Sequence, residues 1–164
     1  MDEIDRKLLE KLQQDTTVAM SDLADEVGLS ATPVWKRIQK MEQAGVITRR
    51  VALLDPEQIG IALTVFVAIE AREHTPDWLA AFASAMQAMP EIMDAYRMAG
   101  EVDYMLRVAV ADMAEFDTFY KRLIIAVPLR NVTSRFAMER LKQTTAYPLP
   151  ANSFRDRRMA SGED

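Results

Sequence analysis

Gly28-Leu29-Ser30-Ala31-Thr32-Pro33-Val34-Trp35-Lys36-Arg37-Ile38-Gln39-Lys40-Met41, with a further glycine at Gly45, is the segment from which the rest of the chain can be placed. Val34, Ile38 and Met41 recur at i, i+4 and i+7, the one-sided apolar stripe of an amphipathic helix. Pro33 suits a first helical position, and Thr32 before it is pushed toward the extended geometry of an N-cap. Gly45 closes the helix. Upstream, Ser21 is placed to cap a shorter helix carrying Leu23, Ala24 and Val27 on one face. Gly28 stops that helix, because glycine enters the left-handed conformation at little cost. Only Gly28 to Ala31 separate the two, the length of a helix-turn-helix connection. Earlier still, Ile4, Leu8, Leu9 and Leu12 mark a first helix over 2–14, with Asp2 or Asp5 available to cap it. Residues 1–45 therefore form a three-helix head.

The charge distribution sharpens this reading. The chain carries a net −5, which by itself argues against nucleic acid. Between Ser30 and Arg50, however, Lys36, Arg37, Lys40, Arg49 and Arg50 stand against Glu42 alone. A basic run is often only a solvated face. Here, rotation outward from the Val34/Ile38/Met41 stripe puts Lys36, Arg37 and Lys40 on the exposed side, where a recognition helix carries its cations. Trp35 is expected to pack between the helices.

After Val46 the texture changes. Residues 46–54 read as a strand ended by Asp55-Pro56, and 46–61 as the connector. Residues 62–148 alternate strand and helix patterns. Leu63, Val65, Val67 and Ile69 share one strand face. Thr75-Pro76 opens a helix with Trp78, Leu79, Phe82, Met86 and Met89 inward, ended by Pro90. Strands follow over 92–99 and 104–110, with Gly100-Glu101-Val102-Asp103 turning between them. Met113, Phe116, Tyr120 and Leu123 mark a second helix ended by Pro128, and 132–141 is a last strand. The order βαββαβ is ferredoxin-like, an antiparallel sheet with both helices on one face. The fold class is thus α+β. Apolar residues on the bare face, among them Phe66 and Phe136, predict self-association. The tail, 149–164, is expected to be unstructured from Asn152 on, being charged and aperiodic.

With no cysteine among 164 residues, disulfides, thiol catalysis and thiolate metal sites are excluded. No apolar run approaches the roughly 20 residues of a membrane span, and the acidic N-terminus does not resemble a secretory signal. A cytoplasmic protein is expected. The eleven methionines fall mostly on inward stripes and read as core filler, not ligands.

Three stretches together resemble the Lrp/AsnC, or feast/famine, family of transcriptional regulators: Ile4-Asp5-Arg6-Lys7-Leu8-Leu9, Leu29-Ser30-Ala31-Thr32-Pro33-Val34-Trp35-Lys36-Arg37, and Gly100-Glu101-Val102-Asp103-Tyr104-Met105-Leu106. The resemblance covers about residues 1–148, ending at Thr145-Ala146-Tyr147-Pro148-Leu149. Ala31 stands where proline is common in the family, and Trp35 where leucine is more usual. The resemblance implies a homodimer built on paired second domains, further assembly into tetramers or octamers, and an amino-acid effector bound where dimers meet, near Gly100.

For DNA, Ser30 and Thr32 hydroxyls and the helix N-terminus suit phosphates. Arg37 is the first choice for a bidentate guanine contact; Lys36, Lys40 and Arg49 or Arg50 suit the backbone. For the effector, amides of the Met98–Asp103 turn suit a carboxylate, and Asp103 or Glu101 an α-ammonium group. Met98 and Tyr104 are expected to shape the side-chain pocket, and Thr133 and Ser134 to contact a neighbouring dimer. Spacing alone equally describes an ordinary hairpin turn, where glycine and aspartate belong. His74, the single histidine, reads as a loop residue. No cofactor is expected. The alternative is an enzyme resembling haem-pathway decarboxylases, which share this two-part architecture but use histidines and arginines around a tetrapyrrole.

Overall fold

The structure, a computed structural model, describes residues 1–150; the tail beyond them, including the segment expected to be unstructured, lies outside the described residues. The chain divides into two compact units. One comprises Met1–Ala52 with the segment from Lys142 onward, and the other Leu53–Leu141.

In the head, α1 spans Glu3–Leu12, α2 Met20–Val27 and α3 Ala31–Gln43. Asp2 caps α1 through a reciprocal box. The Asp2 side chain accepts from the Asp5 amide and the Asp5 side chain from the Asp2 amide, each at 3.0 Å. At α2 the cap position is Ala19, without a side-chain bond, and Ser21 lies inside the helix instead of capping it. Gly28 ends α2 with φ +66, as expected. Helix α3 begins earlier than Thr32-Pro33 suggested. Ser30 holds the cap position and Pro33 sits third in the helix, tolerated because first-turn amides lack intrahelical partners. Its end is a Schellman motif: Val46 donates to the Met41 carbonyl and Gly45, at φ +70, to that of Glu42. Leu8, Leu12, Leu23, Val34, Ile38 and Met41 form the head core.

Residues 46–54 carry no strand in the structure. Their β-rich composition is real, but no described segment pairs with them, and a strand exists only through its ladder. Val51, Leu53 and Leu54 remain exposed. The segment assigned by sequence to the end of the second domain returns to the head. The Gln13 side-chain amide donates to the Tyr147 carbonyl and its oxygen accepts from the Tyr147 amide, both at 2.8 Å. Leu149 packs against the head core.

The second unit contains β1 Leu63–Ala71, α4 Pro76–Ala88, β2 Ile92–Arg97, β3 Tyr104–Val110, α5 Met113–Ala126 and β4 Leu129–Phe136. The sheet order is β2-β3-β1-β4, antiparallel throughout. Val65, Val67 and Ile69 on β1 and Leu106, Val108 and Val110 on β3 are fully buried beneath the helices, as the alternation required. Trp78 and Phe82 of α4 stack at 5.0 Å, and the Trp78 indole donates to the Pro128 carbonyl. On α5 the buried residues are Phe116, Phe119 and Leu123, with Phe119 fully enclosed; Met113, expected inward, is exposed.

Strand β4 starts and ends earlier than 132–141. Its register pairs Phe136 with Val65 and Arg135 with Phe66, so Phe136 faces the helices and meets Phe116 edge-on at 5.2 Å. The bare face keeps Phe66, with Tyr96 of β2 and Met105 of β3, and loses Phe136. Thr133 lies on that face opposite Ala68, whereas Ser134 pairs with Val67 on the helix side.

Candidate DNA interface and ligand site

Helix α3 owes its orientation to the Val34/Ile38/Met41 stripe, which the head core engulfs. A second stripe, Thr32, Lys36 and Gln39, has the same i, i+4, i+7 spacing but starts two residues earlier. Two residues are about 200° of rotation, so this stripe points away from the core. Thr32, Lys36 and Lys40 are exposed and Gln39 partly so. Lys36, Lys40 and Arg49 form no ion pair among the described residues, whereas Arg50 pairs with Glu42 at 2.8 Å. The Ser30 hydroxyl makes no cap bond and stands exposed.

Arg37 does not belong to that outward face. Its Nη1 donates to Asp2 Oδ2 and Asp5 Oδ1, both at 2.7 Å. It thereby ties α3 to the capping box of α1. The Asp2 carboxyl is held below its ordinary value, first by the Asp5 amide it accepts from and further by Arg37. The guanidinium is raised in turn by Asp5 and Asp2. The guanidinium expected to be free for guanine is therefore anchored to the start of α1 through Nη1. Trp35 corrects a second expectation. It is 49% exposed, because the residue after Val34 has rotated about 100° away from the packed stripe.

The candidate ligand site is organised by Asp103. Its amide donates to the Ile69 carbonyl at 2.9 Å, its carbonyl accepts from Met98 at 2.8 Å, and its Oδ2 accepts from the Ala71 amide at 2.7 Å. These bonds fasten the Met98–Asp103 turn to the end of β1. The second oxygen, Oδ1, lies 3.4 Å from His74 Nε2. His74, read from sequence as an isolated loop residue, thus stands beside the turn, its ring at 76° to that of Trp78. Gly100 has φ +136, a region L-residues avoid, while a Cβ there would meet nothing. Glycine is needed here for its backbone and not for close packing. Met98 and Glu101 are exposed. Tyr104 is 7% exposed, its ring 4.4 Å from Phe82 and 5.9 Å from Trp78. It is core beneath the turn and does not form an open pocket wall. Thr133 and Ser134, lying on opposite sheet faces, do not join one surface.

The outward stripe with Gln39 and Trp35 was legible by counting polar positions as carefully as apolar ones. The approach of His74 to Asp103 was not, since it depends on where β1 hands over to α4. Among the described residues there is no cluster of metal-binding side chains, and no helix is long and apolar enough to cross a membrane.

Comparison with known proteins matches both parts of the chain to one family. Residues 1–42 match the AsnC-type helix-turn-helix domain and residues 64–147 the Lrp/AsnC ligand binding domain. The DNA-binding transcriptional activator DecR of Escherichia coli K12 is 51% identical over 150 residues, covering 91% of this chain and 99% of DecR. A crystal structure of an AsnC family transcriptional regulator from Agrobacterium tumefaciens superposes with a TM-score of 0.87 at 53% identity, covering 90% and 97%. A transcriptional regulator of Neisseria meningitidis in complex with L-Met gives a TM-score of 0.85 at 29% identity, covering 90% and 96%.

Proposed function

Because this chain belongs to the Lrp/AsnC family of DNA-binding transcriptional regulators, we propose that α3 enters the major groove and that an amino acid binds beside the Met98–Asp103 turn to control assembly. The observation that carries the DNA assignment is the set of cations without ion-pair partners along α3 and just beyond it. Lys36, Lys40 and Arg49 are exposed and uncommitted among the described residues, whereas Arg37 and Arg50 are engaged. Cations already paired within the protein are less available to neutralise phosphates and so displace fewer of the counterions condensed on DNA, and the uncommitted ones dominate phosphate contact. Ser30 and Thr32 add hydroxyls at the helix start.

At the turn, amides near Gly100 receive the effector carboxylate. Asp103 Oδ1, the oxygen not bonded to Ala71, is the acceptor for its ammonium group, with Glu101 and Met98 alongside. The Neisseria regulator holds L-Met, which makes an amino acid the class to test first. The bare sheet face bearing Phe66, Tyr96 and Met105 suits a second copy of the chain, giving a homodimer that assembles further, and Thr133 lies on that face. An effector favouring one assembly over another couples to DNA by about 1–3 kcal/mol. The protein then acts in the cytoplasm on genes of amino-acid transport or breakdown. The enzyme reading is weaker, since the chain offers one histidine where such decarboxylases use several groups around a tetrapyrrole.

The test is a salt titration of binding to promoter fragments from the neighbouring genome. Lys36→Ala with Lys40→Ala should lower the slope of log affinity against log salt by about 2 and weaken all duplexes alike. A parent protein that ignores such fragments at modest salt, with and without amino acids, sinks the reading.

A further inference from the structure

We infer that Gln39 and Trp35 together read an A·T base pair in the major groove, and that they, rather than Arg37, set the sequence preference of the head. The inference rests on α3 being the groove-inserted helix. A helix lying in the major groove offers base edges its positions i, i+3, i+4 and i+7. Counted from Thr32, the first outward residue of α3, these are Thr32, Trp35, Lys36 and Gln39. Within that set Trp35 and Gln39 are themselves an i, i+4 pair and so neighbours on the helix surface.

Neither side chain has other work. The Gln39 amide forms no hydrogen bond, and the Trp35 indole neither a hydrogen bond nor a ring contact, among the described residues. Yet Trp35 keeps half its surface in water while the apolar stripe beside it is fully packed. Arg37, the residue whose shape best suits guanine, is held by two carboxylates on α1.

The chemistry of the pair is complementary to one kind of base pair. A glutamine amide offers a donor and an acceptor in the spacing of adenine N7 and N6, and an apolar surface beside it matches the thymine methyl group. G·C presents two acceptors on guanine, its only donor on the paired cytosine and no methyl group, so the bidentate fit to one base and the methyl contact are both lost. Lys36, between them in the set, supplies charge without choosing a base.

The experiment selects bound sequences from a randomised duplex pool with the full-length protein, its Gln39→Ala and Trp35→Ala variants, and Lys36→Ala. Circular dichroism confirms folding, which these surface changes should not disturb. The parent should fix an A·T pair in each half-site. Gln39→Ala should lose that preference by about 5- to 150-fold, the range for one good bidentate contact, and keep its salt slope. Thymine-to-uracil replacement at that pair removes only the methyl group. It should weaken the parent and leave Trp35→Ala indifferent. A Gln39→Ala protein that selects the same pair as the parent, or a Trp35→Ala protein as sensitive to uracil as the parent, overturns the inference. Loss of DNA binding by the parent itself would instead remove the groove-insertion reading beneath it.

Discussion

Arg37→Ala tests whether this side chain holds the head together or reads DNA. Its guanidinium donates to Asp2 and Asp5 at 2.7 Å each. Asp2 is 54% exposed and contributes little, since water and salt screen such a pair. Asp5 is different: its side chain is only 13% exposed. A hydrogen bond between charged groups is worth about 1.5–3 kcal/mol. With the exposed half discounted, the substitution should cost about 2 kcal/mol. For a head of this size that lowers the midpoint by roughly 8–16 °C. Thermal unfolding followed by circular dichroism at neutral pH measures it. The pH dependence gives a second reading. The Asp2 carboxyl is depressed in the folded head, so the unfolded chain takes up its proton first as pH falls. The stabilisation is therefore present above the ordinary aspartate range and lost as pH falls below about 4. Part of that loss comes from Arg37, so the variant's stability should fall less steeply there. DNA preference, measured well below the melting range, should match the parent. A variant that melts within about 2 °C of the parent yet loses discrimination at one base pair would refute this reasoning and return Arg37 to the groove.

Asp103→Ala leaves the Ala71 amide without its acceptor and should destabilise the second unit by about 1–3 kcal/mol; Asp103→Asn keeps an acceptor oxygen and should melt near the parent while weakening effector-induced change in assembly, read by sedimentation. An Asp103→Asn protein that responds like the parent would remove the carboxylate from the ammonium site. Gly100→Ala should cost about 1 kcal/mol or more through backbone strain alone, since its Cβ meets nothing; denaturant titration shows it. Phe119→Ala, at a fully buried position of α5, should cost about 3–5 kcal/mol, visible as a collapsed denaturant midpoint with the slope unchanged.

What the sequence disclosed follows the range over which its signals act. The three head helices and the order βαββαβ come from local periodicity and from Gly28 and Gly45, whose left-handed backbones stop α2 and α3. Those signals need no partner, and they held. Errors arose where the deciding atom was far along the chain. Parity on β4 is one case. Val132, Ser134 and Phe136 alternate with Thr133 and Arg135, and neither set is cleanly apolar because this strand lies at the sheet edge. Only the pairing of Phe136 with Val65 says which side faces the helices. Residues 46–54 failed for the converse reason, since a strong β composition without a ladder remains an exposed chain.

The site divides along the same line. The Gly100 and Asp103 turn was recognisable as a motif, but the motif does not say that one carboxylate oxygen is already spent on Ala71 while the other lies beside His74. Nor does a helical wheel say that Arg37 is taken. Asp2 and Asp5 did offer a hint: two carboxylates closing one capping box repel each other and call for a cation between them. Of the nearest candidates in sequence, Arg6 pairs with Glu3 and Glu10, and Lys7 forms no ion pair with either carboxylate among the described residues. The cation must then come from another element, and of the basic residues on α3 only Arg37 lies off the outward stripe on the side facing α1. A residue that looks like the best base reader by type is thus tied, through Nη1, to the helix start whose two carboxylates it balances.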